Sequence, residues 1–496
     1  MSGTVPAGKG RAGPDSGLLS WASALDRGVV RRVSESDSRV LDVVMPRLSV
    51  AANHGLLWIG LATVIWATGD RWARRAAWRG LGALAVASLA ANVAGKRLAG
   101  RARPTGKIPA GRRLGHPLRT SSFPSGHAAS AAAFAVGAAV EKPCLAAPVG
   151  ALALAVAGSR VVTGVHYPSD VLGGLAVGAG AVAATLRWWP RRPPVPAAVI
   201  RPPQQAPTAP SGQGLALAVN RSAGSVSTST ARWLRRELPH AVIVETDASR
   251  DLACDLRRAA ARARILGVAG GDGTIAAAAG VAVELEMPLL VIPAGTFNHF
   301  AADLGVRSAA DALAALRAGE AVLVDVGVAG GRPFVNTSST GLYTDLVLAR
   351  QRLEPRFGRQ AAVVIALIQV LRGGRPHELI LDGGHRWLWL CFAGNCGYEP
   401  TGMAPGYRPD LADGNFDIRV VEDGFLARSR LVAAVLTGTL GRCRVYHAWR
   451  AGTLGIASAH GAPVWLSVDG EIAIAEPAVW VRKHPGRLLV YRGAGG

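Results

Sequence analysis

The sequence predicts a multi-domain protein, with an all-α polytopic membrane domain followed by an α/β lobe and a mostly antiparallel β lobe. Half of its 496 residues are hydrophobic, and the apolar excess is concentrated before about Arg187. A proline-rich stretch then changes the composition abruptly between Pro190 and Gln213. Beyond it, short apolar segments alternate between the patterns of strands and helices. The length is sufficient for about three domains of ordinary size.

The first 48 residues form a separate region. Residues 1–17 are rich in Gly, Pro, Ser and charge, which predicts disorder, and they lack the apolar core of a signal peptide. Residues 18–48 mix Leu and Val with closely spaced charges. We therefore expect amphipathic helices that lie at a membrane surface rather than a buried span.

Apolar runs predict membrane spans within a domain that covers residues 49–190. Five such runs occupy residues 50–69, 80–99, 128–140, 145–158 and 171–189. A bilayer crossing needs about 20 residues, so the third and fourth runs also fit buried core helices and the count holds to within one. The last run ends in Trp188-Trp189, which is typical of the membrane interface.

Prolines between Pro190 and Pro210 predict a semi-extended linker over residues 191–211. From 212 to 330, strands and helices alternate, which indicates a parallel sheet. These elements are expected at 215–219, 231–238, 241–245, 252–263, 265–268 and 289–293. Residues 331–496 read mainly as strands and predict an antiparallel lobe. The apolar run Ala361–Leu371 is half a bilayer long, so we expect a packed helix there.

Charge and cysteine content narrow the classes of partner. The formal net charge of +22 favours nucleic acid or an anionic membrane surface. The sequence has no zinc-finger cysteine spacing and no interleaved basic and aromatic pattern, and its basic residues cluster beside the apolar runs. Anionic lipid is therefore the expected partner, and nucleic acid is not. Five scattered cysteines predict neither a disulfide framework nor a metal site, and the oligomeric state stays open.

The stretch from Ser159 to Asp170 carries the first candidate chemistry. His166 is followed four residues later by Asp170, which can hold the imidazole in one tautomer and make it nucleophilic. Arg160 can grip a phosphate with its bidentate fork. Alone, a histidine beside an apolar segment is more often structural, so the prediction depends on the motifs that precede it.

Two further groups of residues supply the rest of a phosphate site. Lys96 and Arg103 lie at the end of a predicted span, where charge is tolerated near a polar site. Ser125 and the Gly126 backbone can donate hydrogen bonds to phosphate oxygens, and His127 can protonate a leaving alkoxide. Together these residue types predict cleavage of a phosphoester through a phosphohistidine.

In this order, K-x6-R-P, P-S-G-H and S-R-x5-H-x3-D resemble the signature of the type-2 phosphatidic acid phosphatase superfamily, here over residues 96–170. The resemblance implies a metal-independent membrane phosphatase that needs no cofactor. It makes His166 the nucleophile, Asp170 its partner and His127 the general acid. The phosphate-binding residues that it implies are Lys96, Arg103, Ser125, Gly126 and Arg160.

Glycine-rich loops carry the second candidate chemistry. Gly270–Thr274 follows a predicted strand and precedes a helix, so its backbone N–H groups and the helix N-terminus can receive a phosphate. A second loop, Pro293–Ala301, also follows a strand. Val468–Glu471 lies at a late strand end, where an acidic side chain can take the proton of an attacking hydroxyl.

G-G-D-G-T, G-T-x-N-x-F-A and the late D-G-E resemble the diacylglycerol kinase catalytic domain family over about residues 212–490. The resemblance implies ATP with Mg²⁺, a catalytic Asp272 near the nucleotide phosphates and Glu471 as the base. The nucleotide-binding residues that it implies are Asn220, Gly270, Gly271, Gly273, Thr274, Gly295, Thr296 and Asn298.

The turn at Asn220–Gly224 departs from the family's N-P-x-S-G pattern. Asp413 and Asp417 resemble the family's late acidic segment and imply a structural Mg²⁺ site, with Ala412 where a second Asp is common.

The two halves together predict a bifunctional membrane enzyme of lipid phosphate metabolism, with lipid phosphate and lipid alcohol substrates. The kinase must meet ATP in the cytosol, and one span separates it from His166, so the phosphatase site is expected on the external face. The basic loop from Lys96 to Arg119 runs against the positive-inside rule in that arrangement.

Three alternatives stay open. The phosphatase substrate is phosphatidate or a polyprenyl diphosphate. A lipid-sensing or single-activity protein with one inactive half also fits, and an NAD kinase-like role for the second half is less favoured.

Overall fold

The computed structural model of the chain divides into two compact units, Met1–Arg191 and Arg192–Gly496, which are described separately. The residues that it describes are 15–69, 71–105, 108–112, 114, 120–191, 196–199, 203–221, 228–246, 251–295, 298–399, 406–474 and 476–493.

The described part of the first unit is helical, and residues 18–48 and the apolar runs lie in helices as predicted. The first helix already begins at Asp15, so the disorder expected over 1–17 is wrong for 15–17, and residues 1–14 lie outside the described residues. The helices are α1 (Asp15–Glu35), α2 (Arg39–Ala51), α3 (Leu56–Thr68), α4 (Arg71–Leu89), α5 (Lys96–Ala99), α6 (Gly126–Glu141), α7 (Ala146–Val162) and α8 (Pro168–Trp188). A π-helical stretch, Ala90–Gly95, joins α4 to α5.

Helix α6 is the centre of this unit and packs against α4, α7 and α8. Its buried side chains are almost all alanines, and small residues let helix backbones approach closely. Gly178 of α8 shows how close the approach is, because a Cβ there would lie 2.5 Å from the carbonyl oxygen of Ala129. The alanine-rich and glycine-rich runs therefore encode tight helix packing.

Span boundaries differ from those predicted. Among the described residues, three helices are long and apolar enough to cross a membrane: Trp72–Val93, Pro143–Val162 and Pro168–Arg187. A fourth crossing is formed only if Leu41–Ala51 and Asn53–Thr68, which meet at 60°, count as one broken span. The bend lies near the start of the run 50–69, so that run supplies only one limb of the possible broken span. Helix α6, with 16 residues, is shorter than the crossing expected at 128–140 requires.

The second unit contains seven helices and sixteen strands in its described part. The helices are α9 (Thr228–Glu237), α10 (Leu252–Ala260), α11 (Asp272–Glu284), α12 (His299–Asp303), α13 (Ala309–Ala318), α14 (Leu342–Gly373) and α15 (Ala427–Thr437). The strands are β1 (Gln204–Gln205), β2 (Leu215–Asn220), β3 (Val242–Thr246), β4 (Ile265–Gly270), β5 (Leu289–Pro293), β6 (Glu320–Ala329), β7 (Arg332–Phe334), β8 (Thr337–Gly341), β9 (His377–Leu381), β10 (Gly384–Asn395), β11 (Phe416–Glu422), β12 (Tyr446–Ala451), β13 (Thr453–Ser458), β14 (Trp465–Val468), β15 (Glu471–Ile474) and β16 (Ala478–Tyr491).

The predicted α/β lobe and antiparallel lobe are both confirmed. Strands β5, β4, β2 and β3 pair in parallel in that order, and β2 and β4 are almost wholly buried. Strands β8 to β16 pair with one another in antiparallel fashion. The parallel strands bring the carboxyl ends of β2, β4 and β5 to one edge, which is where ligands bind in open α/β sheets.

Two predicted boundaries need correction. Strand β16 runs along β6 and reaches β5, where Val490 pairs with Leu289, so the end of the chain belongs to the first lobe's core. Part of the expected free linker also packs on this unit: β1 pairs with β6, Ala209 is fully buried, and the Tyr491 hydroxyl donates to the Pro207 carbonyl. Proline suits such an edge segment because it needs few ladder hydrogen bonds.

Two candidate active sites

His166 lies in the short loop between α7 and α8, and only 3% of it is exposed. Asp170, in the first turn of α8, is fully buried, and its Oδ2 lies 3.7 Å from His166 Nδ1. The same oxygen accepts a 2.8 Å hydrogen bond from the Tyr167 backbone N–H. The carboxylate therefore faces Nδ1 and leaves Nε2 as the nitrogen turned towards the adjacent cavity.

The predicted cations converge on that cavity, whose volume is about 670 Å³. Arg103 Nη1 lies 3.5 Å from His166 Nε2 and donates to the Val165 carbonyl at 2.8 Å. Arg160 is buried and donates to the Ser49 hydroxyl. Lys96 also lines the cavity, and burial together with the charges of Arg103 and Arg160 lowers its pKa. A bound anion would relieve this crowding of positive charge.

The P-S-G-H motif forms the start of α6. The Ser125 hydroxyl accepts from the Ala128 N–H at the helix N-cap, while Gly126 and His127 line the cavity. A Cβ at Gly126 would lie 3.0 Å from Asn92 Oδ1, so glycine lets the helix start lie close to α4 and its extension. Ser125 itself is fully buried and builds the helix terminus rather than the cavity wall.

The bend between α2 and α3 contributes residues that the motifs did not predict. Asn53 Oδ1 lies 2.9 Å from His127 Nε2, and His54 lines the same cavity. The polar pair interrupts the apolar run 50–69, which was the only sequence signal for them.

A second unpredicted group lies behind Asp170. Arg101 donates to Asp170 Oδ1 at 2.7 Å, to the Ser169 hydroxyl at 2.6 Å and to Asp26 Oδ2 at 2.7 Å. Asp26, which is buried, also accepts from the Ser169 backbone N–H at 3.0 Å. Through Arg101, helix α1 is thus connected to Asp170, the predicted partner of His166. Neither residue belongs to a motif, so spacing alone gave no signal for them.

In the second unit, the two glycine loops lie against each other. A Cβ at Gly295 would lie 2.5 Å from the Gly271 Cα, so only glycine permits this approach. Asn298 has a left-handed backbone, with φ of 51°, and its amide brackets Gly295 with hydrogen bonds of 2.7 and 2.8 Å. Thr296, also expected to bind nucleotide, lies outside the described residues.

The remaining predicted groups meet at the carboxyl ends of β2, β4 and β5. Asn220 Nδ2 donates to the Thr274 hydroxyl at 2.9 Å, which ties the end of β2 to the G-G-D-G-T loop. Asp272 Oδ1 accepts from the Phe300 N–H at 3.4 Å and so ties that loop to the next. Gly270 ends β4 and Gly273 lies in the first turn of α11. The site is thus a backbone cradle with few side chains.

The two acidic residues of the late D-G-E segment, Asp469 and Glu471, have different surroundings. Asp469 accepts three backbone N–H groups, from Val335, Asn336 and Thr337, at 2.7–2.8 Å. Burial raises the pKa of Asp469 to about 6, against the effect of those three donors. Its role is to anchor the turn. Glu471 instead lies beside α11, because a Cβ at Gly273 would be 2.9 Å from Glu471 Oε1.

Glu471 lines a cavity of about 690 Å³. Small or apolar side chains form much of its wall, namely Ala276, Ala277, Val281, Val328, Pro333 and Val468.

Asp413 and Asp417 accept hydrogen bonds from the consecutive backbone N–H groups of Gly397 and Tyr398, at 2.8 and 3.0 Å, but their other partners differ. Asp417 pairs with Arg419 at 2.6 Å. Asp413 instead lies near Asp325.

An ammonium group already provides positive charge beside Asp325. Lys483 Nζ lies 3.4 Å from Asp325 Oδ2, 2.7 Å from Asn395 Oδ1 and 2.9 Å from the Asn415 carbonyl oxygen. These residues do not fit the implied structural Mg²⁺, and no step is assigned to one.

Comparison with known proteins agrees with both resemblances. A family model described as the PAP2 superfamily matches residues 76–194, and one described as the diacylglycerol kinase catalytic domain matches residues 215–329. Over 131 residues the chain is 40% identical to decaprenylphosphoryl-5-phosphoribose phosphatase of Mycolicibacterium smegmatis (strain ATCC 700084 / mc(2)155), which covers 26% of this chain and 67% of that protein.

Two solved structures are also similar. A putative diacylglycerol kinase from Bacillus anthracis str. Sterne is 21% identical with a TM-score of 0.45, covering 57% of this chain and 99% of that one. A transmembrane PAP2-type phosphatidylglycerolphosphate phosphatase from Bacillus subtilis is 25% identical with a TM-score of 0.27, covering 34% and 90%.

The chain belongs to the PAP2 superfamily through its first unit, and residues 215–329 of its second unit match the diacylglycerol kinase catalytic domain. These domains indicate an enzyme with phosphatase and lipid kinase activities.

Proposed function

We propose that the protein is a bifunctional membrane enzyme that removes phosphate from a lipid-linked phosphoester and phosphorylates a lipid hydroxyl with ATP. The observation that carries the first activity is the cavity in which Arg103 lies 3.5 Å from His166 Nε2, with Lys96, Arg160 and His127 on its wall. It unites a nucleophile, an acid and a cationic cradle, as phosphoryl transfer to histidine requires.

In the first reaction, His166 Nε2 attacks phosphorus while the bond to the ester oxygen breaks. Lys96, Arg103 and Arg160 stabilise the charge that develops on the phosphoryl oxygens. His127 donates a proton to the departing alkoxide. Asp170 stabilises the positive phosphohistidine, and water then attacks phosphorus and releases inorganic phosphate while His127 accepts the water's proton.

The cavity supports a substrate headgroup larger than a simple phosphate. Besides the cations, its wall carries the polar side chains Asn53, Ser88, Asn92 and Ser130. The relative from Mycolicibacterium is named for a substrate that joins a polyprenyl phosphate to a phosphorylated pentose. Hydroxyls of a sugar would find donors and acceptors on this wall. We therefore favour a polyprenyl-phosphoryl sugar phosphate over phosphatidate and polyprenyl diphosphate.

In the second reaction, the N-terminus of α11 and the backbone N–H groups of the two glycine loops receive the phosphates of ATP. Mg²⁺ bound with ATP would neutralise phosphate charge, and Asp272, in the first turn of α11, is the acidic side chain that would hold it. Glu471 accepts the proton of the attacking lipid hydroxyl, whose chain suits the small apolar wall beside it. We favour a lipid acceptor over NAD because the same chain carries a membrane unit.

We further propose that the phosphatase site faces the exterior and the kinase the cytosol. The candidate span Pro168–Arg187 lies between His166 and the second unit, which supports opposite faces. A cysteine introduced at Ala110, an exposed position two residues before the buried Arg112, should react with an impermeant reagent added to intact cells. Reaction only after lysis would overturn this arrangement.

The two activities are separable by single changes in the full-length protein. His166→Ala should abolish phosphate release and spare transfer from labelled ATP, and Asp272→Ala should do the reverse. Phosphatidate, a polyprenyl diphosphate and a polyprenyl-phosphoryl pentose phosphate serve as parallel phosphatase substrates, with a lipid extract and NAD as acceptors. If His166→Ala or Asp272→Ala left both activities intact, the role assigned to that residue would be wrong. An unaltered chain with one activity would favour the alternative of an inactive half.

A further inference from the structure

Helix α14 presents its apolar side to the exterior of the second unit. In its second half, Ala362 and Ala366 are buried, whereas the larger side chains at Val363, Val364, Leu367 and Ile368 are 39–57% exposed. The run Ala361–Leu371 is helical as expected, but its outward face is left without packing. Helices on the surface of water-soluble proteins normally bury their large apolar side chains and expose polar ones.

Positive charge flanks this apolar stripe. The segment 342–375 holds six arginines against two acidic residues, and both acids are paired, Asp345 with His377 and Glu354 with Arg350. Arg356 and the exposed Phe357 precede the stripe across a kink at Gly358, and Arg372 and Arg375 follow it on exposed positions. An apolar face with arginines at both ends is the pattern of a helix that lies in an anionic membrane interface.

A second exposed apolar group adjoins the end of this helix. Phe425 and Leu426 are 77% and 58% exposed and lie directly before α15. Arg428, on the first turn of α15, donates to the Gly374 carbonyl at 2.7 Å and so ties that loop to the end of α14. Arg430 stacks on the Phe425 ring. Two neighbouring elements thus repeat the combination of exposed apolar and basic side chains.

We propose that Phe357, the outward face of 361–370 and the Phe425-Leu426 loop form a docking face for an anionic lipid bilayer. The proposal rests on the proposed lipid kinase function, because a kinase with a lipid acceptor must meet its substrate at a bilayer. A protein that covered the stripe would have to desolvate the arginines at its ends. Anionic headgroups instead pair with them at the depth where the apolar side chains enter the acyl region.

The test uses the full-length protein in vesicles of phosphatidylcholine with or without phosphatidylglycerol. An environment-sensitive fluorophore is attached at Val364→Cys, after Cys144, Cys254 and Cys443 are replaced by serine. The matched control is Val242→Cys on β3, where the valine is 49% exposed against 57% for Val364. We expect a blue shift and protection from an aqueous quencher at position 364 only, only with phosphatidylglycerol, and lost in high salt. Exchanging Arg372 and Arg375 for glutamine should weaken the protection about tenfold.

Equal quenching at 364 and 242 would overturn the proposal. So would protection at 364 that is independent of anionic lipid and salt, because it would mean that another part of the chain or a second copy covers the face. Val364→Asp with Leu367→Asp should lower transfer to a long-chain acceptor in vesicles about tenfold and leave transfer to a short-chain, water-soluble acceptor unchanged. Absence of transfer to both acceptors in the unaltered protein would contradict the kinase function, while the fluorescence still decides the docking.

Discussion

The two candidate sites differ in how each would bind a phosphate group. The first unit offers the side chains of Lys96, Arg103 and Arg160, three cations on the wall of one cavity. The second unit offers glycine backbone at the N-terminus of α11, with Gly271 and Gly295 in contact. Charged side chains give strong binding to a small dianion. A backbone cradle depends instead on how closely two loops approach.

The two sites also differ in what their predicted residues do, because some line the binding cavity and others hold the shape of the site. In the first unit six of the eight predicted site residues line the cavity, whereas Ser125 builds the helix terminus and Asp170 lies on the other side of His166, facing Nδ1. In the second unit Asn220, Asn298 and Asp469 hold loops together. Substitutions in the two sites should therefore fail in different ways.

The largest expected effect separates the two acids of the D-G-E segment. Glu471→Gln should lower transfer from ATP on the order of 1,000-fold, because it removes a general base, and leave stability unchanged. Asp469→Ala should instead destabilise the second unit by about 2–3 kcal/mol, because three buried N–H groups lose their acceptor. Pulse proteolysis of the full chain measures the stability.

The pH dependence of the Asp469 effect has a definite sign. Burial raises its pKa to about 6, above the ordinary value, so the folded state binds the proton more tightly. The stability that the folded state gains from this tighter binding is complete below about pH 4, the pKa of the unfolded aspartate, and is lost as pH rises through 6. The destabilisation by Asp469→Ala should therefore be greater at low pH than at neutral pH. Equal stability loss from both substitutions would contradict the division of roles.

The next effect tests the backbone cradle. Gly295→Ala should lower the kinase rate about 100-fold, because its Cβ would lie 2.5 Å from the Gly271 Cα and push the loops apart. Phosphate release by the first unit should be unchanged. Gly441→Ala is the matched control, since a Cβ there meets nothing within 4 Å. A normal rate in Gly295→Ala would show that the loops need not touch.

Patterns that repeat along the chain were predictable. The alternation of apolar strands and helices predicted the α/β lobe, and β5 lies at the predicted bounds, Leu289–Pro293. The other predicted helix and strand bounds in the first lobe agree with the structure to within three residues, because local periodicity decides them. The bend at Asn53 was not predicted, since hydropathy measures apolarity and not direction. The return of β16 to β5 was also missed, because long-range strand pairing leaves no trace in spacing.

The same contrast between local pattern and long-range contact explains which site residues were predicted. His166, Arg103 and His127 were found because each belongs to a short motif with fixed spacing. Asp26 is 144 residues from Asp170 along the chain, and only tertiary structure shows that Arg101 joins them. Lys483 was missed for the same reason, although it lies where a metal was expected. Side chains such as these, which position other side chains, belong to no sequence motif.

The smallest effect concerns those positioning residues. Arg101→Gln and Asp26→Asn should each lower the kcat of phosphate release about tenfold and leave KM nearly unchanged, because neither side chain lines the cavity. Both act through the orientation of Asp170 and therefore of His166. Arg97→Gln is the matched control, since Arg97 is exposed and lies outside the cavity wall. Arg101→Lys, which retains one donor to Asp170, should recover part of the rate. If KM rose while kcat held, Arg101 would bind substrate instead, and the division between cavity residues and positioning residues in the first unit would be wrong.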